Sequence, residues 1–416
     1  MDPRKLHGTL ATSMDDAAED EVMSVIVRLR STLRADSDEA GYLEEMAAGP
    51  AVYRYSLLPA IAIEATAVQI EQMTDNPTVD RIWPDLPVHT MLDVSAPIVR
   101  APLVWDAGFT GQGVTIAVVD TGIDIQHPDF EGRIADATDY TGQGADDNNG
   151  HGTHVASTAA GSGAASDGKY RGVAPEATII AAKVLRGDGS GSQSDVMAGI
   201  EWAVQKGAQV INLSLGGPPT PCDGTDALSE LVDAAVDAGV VMCVAAGNSG
   251  PGRSTVGSPG CARKVVTVGA TVSDPSTDYD EIARFSSRGP TADGRRKPDL
   301  ALPGVGIVAA RADGTSLGDV VNDHYTSLQG TSMATPHATG MAALLLSSNP
   351  GLSAEQIKQR MVAGARTMHL DGNAQGSGRG DVYNAFLDQA GQPLPVPPTP
   401  EEPGGCLPGV MGFLRR

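Results

Sequence analysis

The stretch Val114–Asp120, with the sequence VTIAVVD, is a continuous apolar run of strand length that ends on a carboxylate. Four later stretches have the same apolar character: ATIIAAKVL (177–185), AQVINLSLG (208–216), VVMCVAAGN (240–248) and KVVTVGA (264–270). Helical patterns such as SDVMAGIEWAVQKG and ALSELVDAAVDAG lie between them. Strands without polar alternation, separated by helices, indicate a parallel sheet that is covered on both faces. The sequence therefore predicts an α/β fold with a doubly wound, mostly parallel sheet.

The rest of the chain is organised around this unit. We predict a flexible N-terminus over 1–20, a small α+β, ferredoxin-like domain over 21–92, the α/β domain over 93–390 and a proline-rich tail over 391–416. The small domain is indicated by alternating strand and helix patterns, from VMSVIVRLR at its start to TVDRIWPDLPVHT at its end.

The charge balance limits the class of function. Asp and Glu total 51 against 29 Lys and Arg, so the formal net charge is −22. Such a balance argues against a protein that mainly holds nucleic-acid phosphates or anionic lipid. The longest apolar runs are far shorter than the roughly 20 residues of a membrane helix, and no standard secretory signal is visible. We expect a cytoplasmic protein without a nucleic-acid partner or membrane span, with secretion as the alternative if the natural start or export route differs.

Three polar residues fall where a parallel sheet collects its functional groups, just past the carboxyl ends of the strands. Asp120 ends the first run, His154 lies in HGTHVASTAAG, and Ser332 precedes a long apolar helix pattern in GTSMATPHATGMAALLL. Acyl transfer needs a serine, an imidazole that removes its proton and a carboxylate that orients the imidazole. Taken singly, these residues are equally a turn aspartate, a structural histidine and a helix cap. Their conjunction favours catalysis.

The residues around these groups resemble the subtilisin family of serine peptidases. The resemblance is carried by AVVDTGID, HGTHVA and GTSMATPH, in the family's order Asp, His, Ser, and continues through SLGG, AAGN and FSSRGP. It covers residues 95–390 and implies a triad of Asp120, His154 and Ser332. The GxSxG elbow of α/β-hydrolases is absent, because Ala334 occupies its last position.

The same resemblance implies substrate-binding residues. Asn248, by itself an ordinary turn residue, matches the family's side-chain donor to the oxyanion. Two edge segments for an extended peptide and a pocket for the residue before the scissile bond are implied by Gly189, Ser190, Gly191, Ser214, Leu215, Gly216, Ala245, Ala246, Gly247 and Gly257. Since no charge is evident in that pocket, we expect broad specificity that favours large apolar residues before the scissile bond.

The domain over 21–92 resembles the family's inhibitory propeptide. This resemblance implies that the domain assists folding, is cut off near Leu92–Asp93 and then inhibits the enzyme as a product-like partner. A permanent N-terminal domain is the alternative. The expected function is that of a self-processing, monomeric serine endopeptidase that acts on polypeptides. Two alternatives are a catalytically silent subtilisin-like binding domain and an esterase or peptide ligase with the same triad.

Metal binding is a further implication of the resemblance. Asp129 matches one ligand of a calcium site that is common in the family, although GSGAASDGKYRG (161–172) replaces the loop that normally completes it. The run DDNN at 146–149 offers oxygen ligands of the kind hard cations prefer, but equally fits a solvated turn. Structural calcium is therefore expected without a placed site. A zinc site on His151 and His154 is disfavoured, because no HExxH motif is present.

The four cysteines are too few for a disulfide scaffold. Cys222 and Cys261 flank the loops around the implied specificity pocket and form the candidate disulfide. Cys243 lies in an apolar strand and is expected to be a buried free thiol.

Overall fold

The computed structural model describes residues 2–6, 10, 14, 21–30, 37–50, 53–54, 59–84, 92–217, 222–273 and 280–387. The chain divides into two compact units, Met1–His89 and Thr90–Arg416. The predicted tail over 391–416 lies outside the described residues.

The N-terminal unit is a four-stranded antiparallel sheet with two helices. Its strands are β1 (Val22–Leu29), β2 (Tyr53–Arg54), β3 (Ala60–Thr66) and β4 (Val79–Pro84), and its helices are Asp38–Met46 and Ala67–Asp75. The strand order β2-β3-β1-β4, with a helix after β1 and another after β3, is the ferredoxin-like topology that the sequence predicts. Val25, Val27 and Leu29 of β1 face the core, because alternate residues of a strand share one face.

Part of the stretch predicted to be flexible packs onto this unit. Leu6 forms a bridge with Ile82 of β4, and Leu10 is fully buried in the core of the small unit. Met14 is partly buried against the same core. The four-residue spacing of these apolar side chains gives one apolar face within an otherwise polar stretch. Because the segment is polar overall, its composition did not predict this apolar face.

The C-terminal unit is built on an eight-stranded sheet in the order β11-β10-β9-β8-β5-β7-β6, with β12 beside β10. Its strands are β5 (Thr115–Asp120), β6 (Ile134–Asp139), β7 (Thr178–Lys183), β8 (Val210–Leu213), β9 (Val241–Ala245), β10 (Val266–Ser273), β11 (Asp280–Ile282) and β12 (Leu300–Pro303). All neighbours pair in parallel except β10 and β11. A second, antiparallel sheet in the order β13-β15-β14 is formed by β13 (Ile307–Ala310), β14 (Asp319–Val320) and β15 (Tyr325–Leu328).

Helices cover both faces of the large sheet, as the apolar strands predict. They are Leu92–Ile98, Ala101–Asp106, His151–Ala160, Gln193–Gln205, Ala227–Asp237, Thr331–Ser348, Ala354–Gly364, Gly372–Gln375 and Val382–Leu387. Alternate residues of β5 enter different cores, with Ile116 and Val118 on one side and Ala117 and Val119 on the other. This two-sided burial confirms the doubly wound α/β fold.

The helix Thr331–Ser348 is apolar around its circumference and passes through the larger core. All of its residues are buried except Ser332, Ser347 and Ser348. A helix without a polar face is stable only when protein surrounds it. It therefore holds Ser332 at the edge of a rigid core. None of the helices in the described part of the chain combines the length and hydropathy needed to cross a bilayer.

Candidate active site

Asp120 is the last residue of β5 and is fully buried. Its Oδ1 accepts a hydrogen bond from the backbone N–H of Thr121 at 2.7 Å. The same oxygen lies 2.7 Å from Nδ1 of His151. Because β5 is central in a parallel sheet, its carboxyl end opens where ligands bind in such folds. A buried carboxylate in contact with an imidazole is the orienting pair that acyl transfer requires.

His151, and not His154, is the imidazole that Asp120 binds. His151 is the first residue of its helix, and its side chain is 21% exposed. His154 is fully buried, with Nε2 at 2.8 Å from the carbonyl oxygen of Ile307. Three residues advance a helix by about 4.5 Å, which carries the second ring away from the strand end and beneath β13. The prediction that His154 belongs to the triad is therefore wrong. The two rings bond different groups.

The surroundings shift the two histidines in opposite directions. Burial by itself lowers the pKa of His151, but the charge of Asp120, its hydrogen bond and the charge of Asp147 raise that pKa above its ordinary value. Burial lowers the pKa of His154 to about 3. His154 consequently stays neutral near pH 7, whereas the two carboxylates favour the protonated form of His151.

Ser332 lies at the start of its buried helix, beside the segment that follows β8. Its Oγ donates to the carbonyl oxygen of Ser214 at 3.0 Å, and Ser214 Oγ donates to the carbonyl oxygen of Ser332 at 2.8 Å. Ser214 Oγ also accepts from Nδ2 of Asn212 at 2.9 Å, and Thr339 Oγ1 donates to Oδ1 of Asn212 at 2.9 Å. These hydrogen bonds fix the helix Thr331–Ser348 to β8 and to the segment that follows it.

The side-chain amide of Asn248 has one orientation that its neighbours allow. Its Oδ1 accepts from the backbone N–H of Thr331 at 2.9 Å and lies 3.0 Å from Thr331 Oγ1. A backbone N–H only donates, so the amide oxygen must face Thr331 and the NH₂ group must face away. A Cβ built on Gly330 would lie 3.5 Å from Nδ2 of Asn248 and 3.6 Å from the backbone N of Ser332. These two nitrogens therefore flank the open side of Gly330.

Two cavities adjoin these groups. A groove of about 950 Å³ is lined by the predicted edge segments 189–191 and 214–216 and by His151. A smaller pocket of about 130 Å³ is lined by Leu215, Gly216, Gly217, Ala245, Gly247, Asn248, Ser249, Thr255, Gly257, Thr331 and Ser332. The two cavities share the segment 215–217. The structure thus brings the predicted substrate-binding residues to one cleft, with one exception.

Ala246 is that exception. It is 1% exposed and packs in a cluster with Cys222, Val256 and Cys261. Its neighbours Ala245 and Gly247 line the smaller pocket. Successive residues of an extended segment point to opposite sides, so Ala246 faces the protein interior. Its predicted place in the pocket wall is therefore wrong.

Asp129, the predicted calcium ligand, is buried and faces proton donors. The hydroxyl of Tyr325 lies 2.9 Å from its Oδ1 and 3.0 Å from its Oδ2, and the N–H of Ala165 donates to Oδ1 at 3.0 Å. The guanidinium of Arg133 donates to the carbonyl oxygens of Asp129 and Ala160.

This donor set does not fit calcium, which takes roughly six to eight oxygen ligands. The loop over 161–172 contributes an N–H at this corner, and a guanidinium occupies the carbonyl oxygens beside it. The described surroundings of Asp129 therefore do not complete a calcium site, because hydroxyl and N–H donors bond its carboxylate.

Replacing Tyr325 with phenylalanine should lower the free energy of unfolding by about 1–3 kcal/mol, because a buried carboxylate loses its hydroxyl donor. Urea unfolding of the variant in a Ser332→Ala background, which prevents self-digestion, measures this loss. Tyr140→Phe, a change at a partly buried tyrosine of the same unit, serves as the control. The account of this corner fails if added calcium raises the Tm of the parent protein but not that of Asp129→Asn.

The cysteines near the cleft are joined to each other. Cys222 and Cys261 form a disulfide with their Cα atoms 5.9 Å apart. With Asp226 they are the one group of three metal-ligand side chains within reach of a common ion in the described part of the chain. Sulfurs bonded to each other do not bind a metal as thiolates. Cys243 is a free thiol, and burial raises its pKa to about 12.

Comparisons with known proteins found matches in one family. Residues 111–380 match the model of the peptidase S8 family, described as the subtilase family. Serine protease AprX of Bacillus subtilis (strain 168) is 39% identical over 358 residues, which is 81% of this chain and 81% of the relative. Subtilisin DY of Bacillus licheniformis is 40% identical over 277 residues, covering 65% of this chain and 90% of the relative. The crystal structure of a cold adapted subtilisin-like serine proteinase matches with a TM-score of 0.52 and 36% identity, over 66% of this chain and 88% of that one.

Proposed function

Because this chain belongs to the subtilase family of serine peptidases, we propose that it cleaves polypeptides through an acyl-enzyme formed on Ser332. In this proposal His151 is the general base and acid, and Asp120 orients it. The 2.7 Å contact between Asp120 and His151, at a groove that His151 itself lines, carries the proposal. A silent binding domain is not favoured, since each role of the mechanism has a competent residue.

The proton positions follow from the contacts. The carboxylate of Asp120 only accepts hydrogen bonds, so Nδ1 of His151 carries a hydrogen and Nε2 is left to accept a proton. Oγ of Ser332 must turn from the Ser214 carbonyl, by rotation about χ1, to bond that nitrogen. Ser332 Oγ then attacks the peptide carbonyl carbon while its proton passes to His151. The same proton goes to the departing amine as the peptide C–N bond breaks, and water repeats the sequence to release the acid.

Charge on the carbonyl oxygen would be stabilised by two donors, the Asn248 NH₂ group and the backbone N–H of Ser332. Both flank the open side of Gly330, and Thr331 holds the amide in the donating orientation. Such donors act mainly on the transition state, because they are aimed where charge develops during the reaction.

Asn248→Ala should lower kcat by about 10²–10³-fold with little change in KM, the range measured for this kind of donor in subtilisins themselves. Steady-state hydrolysis of a peptide anilide measures both constants. Thr331→Val should cause a smaller loss, because the backbone N–H of Thr331 still fixes the amide. An unchanged kcat in Asn248→Ala would remove this residue from the mechanism.

We also propose that the pocket of 130 Å³ takes the side chain before the scissile bond. Among the described residues that line it, none is charged, and glycines and alanine form much of the wall. Apolar side chains are therefore favoured there, and the groove between the two edge segments fits an extended peptide.

We further propose that the N-terminal unit is a propeptide that the enzyme removes itself. Its support is that the unit is compact by itself, with a ferredoxin-like sheet and its own core. The match to AprX spans 81% of the chain. We also propose that the enzyme is a monomer. The cytoplasmic location and the secreted alternative are both still predictions from the sequence.

Labelling with a peptidyl phosphonate tests the proposed function. One phosphonate should attach per chain, on Ser332, and the rate should fall as the pH drops through a midpoint above about 6.5. The reason is that only neutral His151 accepts the serine proton, and Asp120 raises the pKa of His151. Peptide mapping by mass spectrometry locates the label, and Ser332→Ala is the control. Labelling of another serine, or a constant rate down to pH 4, would contradict the mechanism.

A further inference from the structure

The oxygen-rich run ahead of the His151 helix contains a buried carboxylate that the mechanism above does not use. Asp147 is 4% exposed, whereas its neighbour Asp146 is exposed. Oδ1 of Asp147 accepts from Thr121 Oγ1 at 2.9 Å, from the N–H of Asn149 at 3.1 Å and from the N–H of Gly150 at 2.8 Å. Because donors of the chain occupy its acceptor sites, this carboxylate links Thr121, which follows β5, to the segment just before the His151 helix.

The second oxygen of Asp147 reaches the helix itself. Oδ2 accepts from the N–H and from Oγ1 of Thr153, at 2.8 and 2.7 Å. Thr121 Oγ1, which donates to Asp147, also accepts from the N–H of Gly152 at 2.8 Å. Asp147 therefore binds the first turn of the His151 helix to the residue that follows Asp120.

The first turn of the His151 helix is in close contact with the turn that follows β5. A Cβ on Gly152 would lie 2.2 Å from the carbonyl oxygen of Gly122 and 3.2 Å from Thr121 Oγ1. Glycine is thus required where the helix meets the turn after β5, because even a methyl group would push the two segments apart. The distance between the Asp120 carboxylate and the His151 ring depends on this contact.

We propose that Asp147 is a positioning residue for His151, which it serves by holding the first turn of the helix against Asp120 and by favouring the imidazolium with its negative charge. This inference rests on the proposed role of His151 as general base. A positioning role explains why the Asp147 carboxylate is buried and hydrogen-bonded to the chain, which a solvated turn or a cation site does not explain.

The charged groups around His151 determine which of its two protonation states is favoured. The titratable and charged side chains on the elements packed about it are Asp120, Asp147, Lys183, His154 and His337, and β13 contributes none. Burial lowers the pKa of His154 to about 3 and that of His337 to about 4, so both stay neutral. Lys183 is buried and donates to the Thr121 carbonyl and to Oδ1 of Asn148. Asp120 and Asp147 are thus the charges that favour a proton on His151, whereas Asp139 and Asp146 act with them on Lys183.

Asp147→Asn tests the charge and the position together, with Asp146→Asn as the matched exposed control. We expect kcat to fall about 10- to 100-fold with KM nearly unchanged, since small displacements of catalytic groups have effects of this size. The titration midpoint of His151, followed by NMR of its ring in a Ser332→Ala background, should move to lower pH. Thr121→Val keeps the charge of Asp147 and removes the hydroxyl that bridges Asp147 and Gly152, so it should lower kcat and move the midpoint less than Asp147→Asn does.

The outcomes distinguish a positioning role of Asp147 from a merely structural one. A lower kcat with an unchanged midpoint in Asp147→Asn, or an equal midpoint shift in Asp146→Asn, overturns the proposal. If Asp147→Asn does not fold, Thr121→Val decides, since a wild-type kcat there also overturns it. Full activity in Ser332→Ala would instead refute the proposed function, while the NMR midpoint still reports on the Asp147–His151 link.

Discussion

Replacing His151 with alanine is expected to lower kcat by about 10⁴–10⁶-fold, the range measured when members of the triad are removed in subtilisins themselves. The reason is that His151, and not His154, is the histidine of this helix that contacts Asp120, and it also lines the groove. KM should change little, because the edge segments that we propose bind the peptide are untouched. Hydrolysis of a peptide anilide by the purified variant measures both constants.

His154→Gln is the matched comparison, three residues further along the same helix. Glutamine can still donate to the carbonyl oxygen of Ile307, which His154 Nε2 contacts. We expect kcat within about tenfold of the wild-type value, and a loss of about 1–3 kcal/mol in unfolding free energy from imperfect packing. A folded but inactive His154→Gln, together with an active His151→Ala, would reverse the assignment.

Replacing Ser332 with alanine should abolish turnover and leave the chain at its full mass. The wild-type protein should lose the residues that precede Asp93 if it removes its own N-terminal unit. Without Oγ no acyl-enzyme forms, so the variant cannot make this cut. Intact-mass measurement of both freshly expressed proteins shows the result and locates the cleavage site.

Ser347→Ala, a change near the other end of the same helix, is the control and should be processed like the wild type. If wild type and Ser332→Ala are cut alike, a host protease made the cut and self-processing is refuted. If both remain whole, the N-terminal unit is a permanent domain or the site is silent, and a casein assay on the wild type separates these two cases.

The fold was predictable because its determinants are local. Each buried strand of the large sheet is a short apolar run, and β5 supplies residues to both cores as an unbroken apolar sequence must. The ferredoxin-like unit follows from the same alternation of strand and helix patterns. Asp120 at a strand end and Ser332 at the start of an apolar helix are also readable from local pattern, and the structure shows both at those positions.

The choice between His151 and His154 was not readable in this way. Both lie in one short motif, and their three-residue spacing puts them on nearby sides of one helix. Which ring meets Asp120 depends on where the helix begins and on how deeply it enters beneath β13. Those quantities are set by the ties of Asp147 and by the close approach at Gly152, which join segments distant in sequence.

The α/β architecture, the subtilase resemblance and the region of the cleft are therefore predictable from the sequence, because apolar periodicity and short motifs act over a few residues. Three-dimensional packing selects which histidine contacts the carboxylate, which way Ala246 points and which groups bond Asp129. Asp129 meets the hydroxyl of Tyr325 across 196 positions of the chain. A contact of that span depends on how the sheets pack and leaves no trace in the local pattern of either residue.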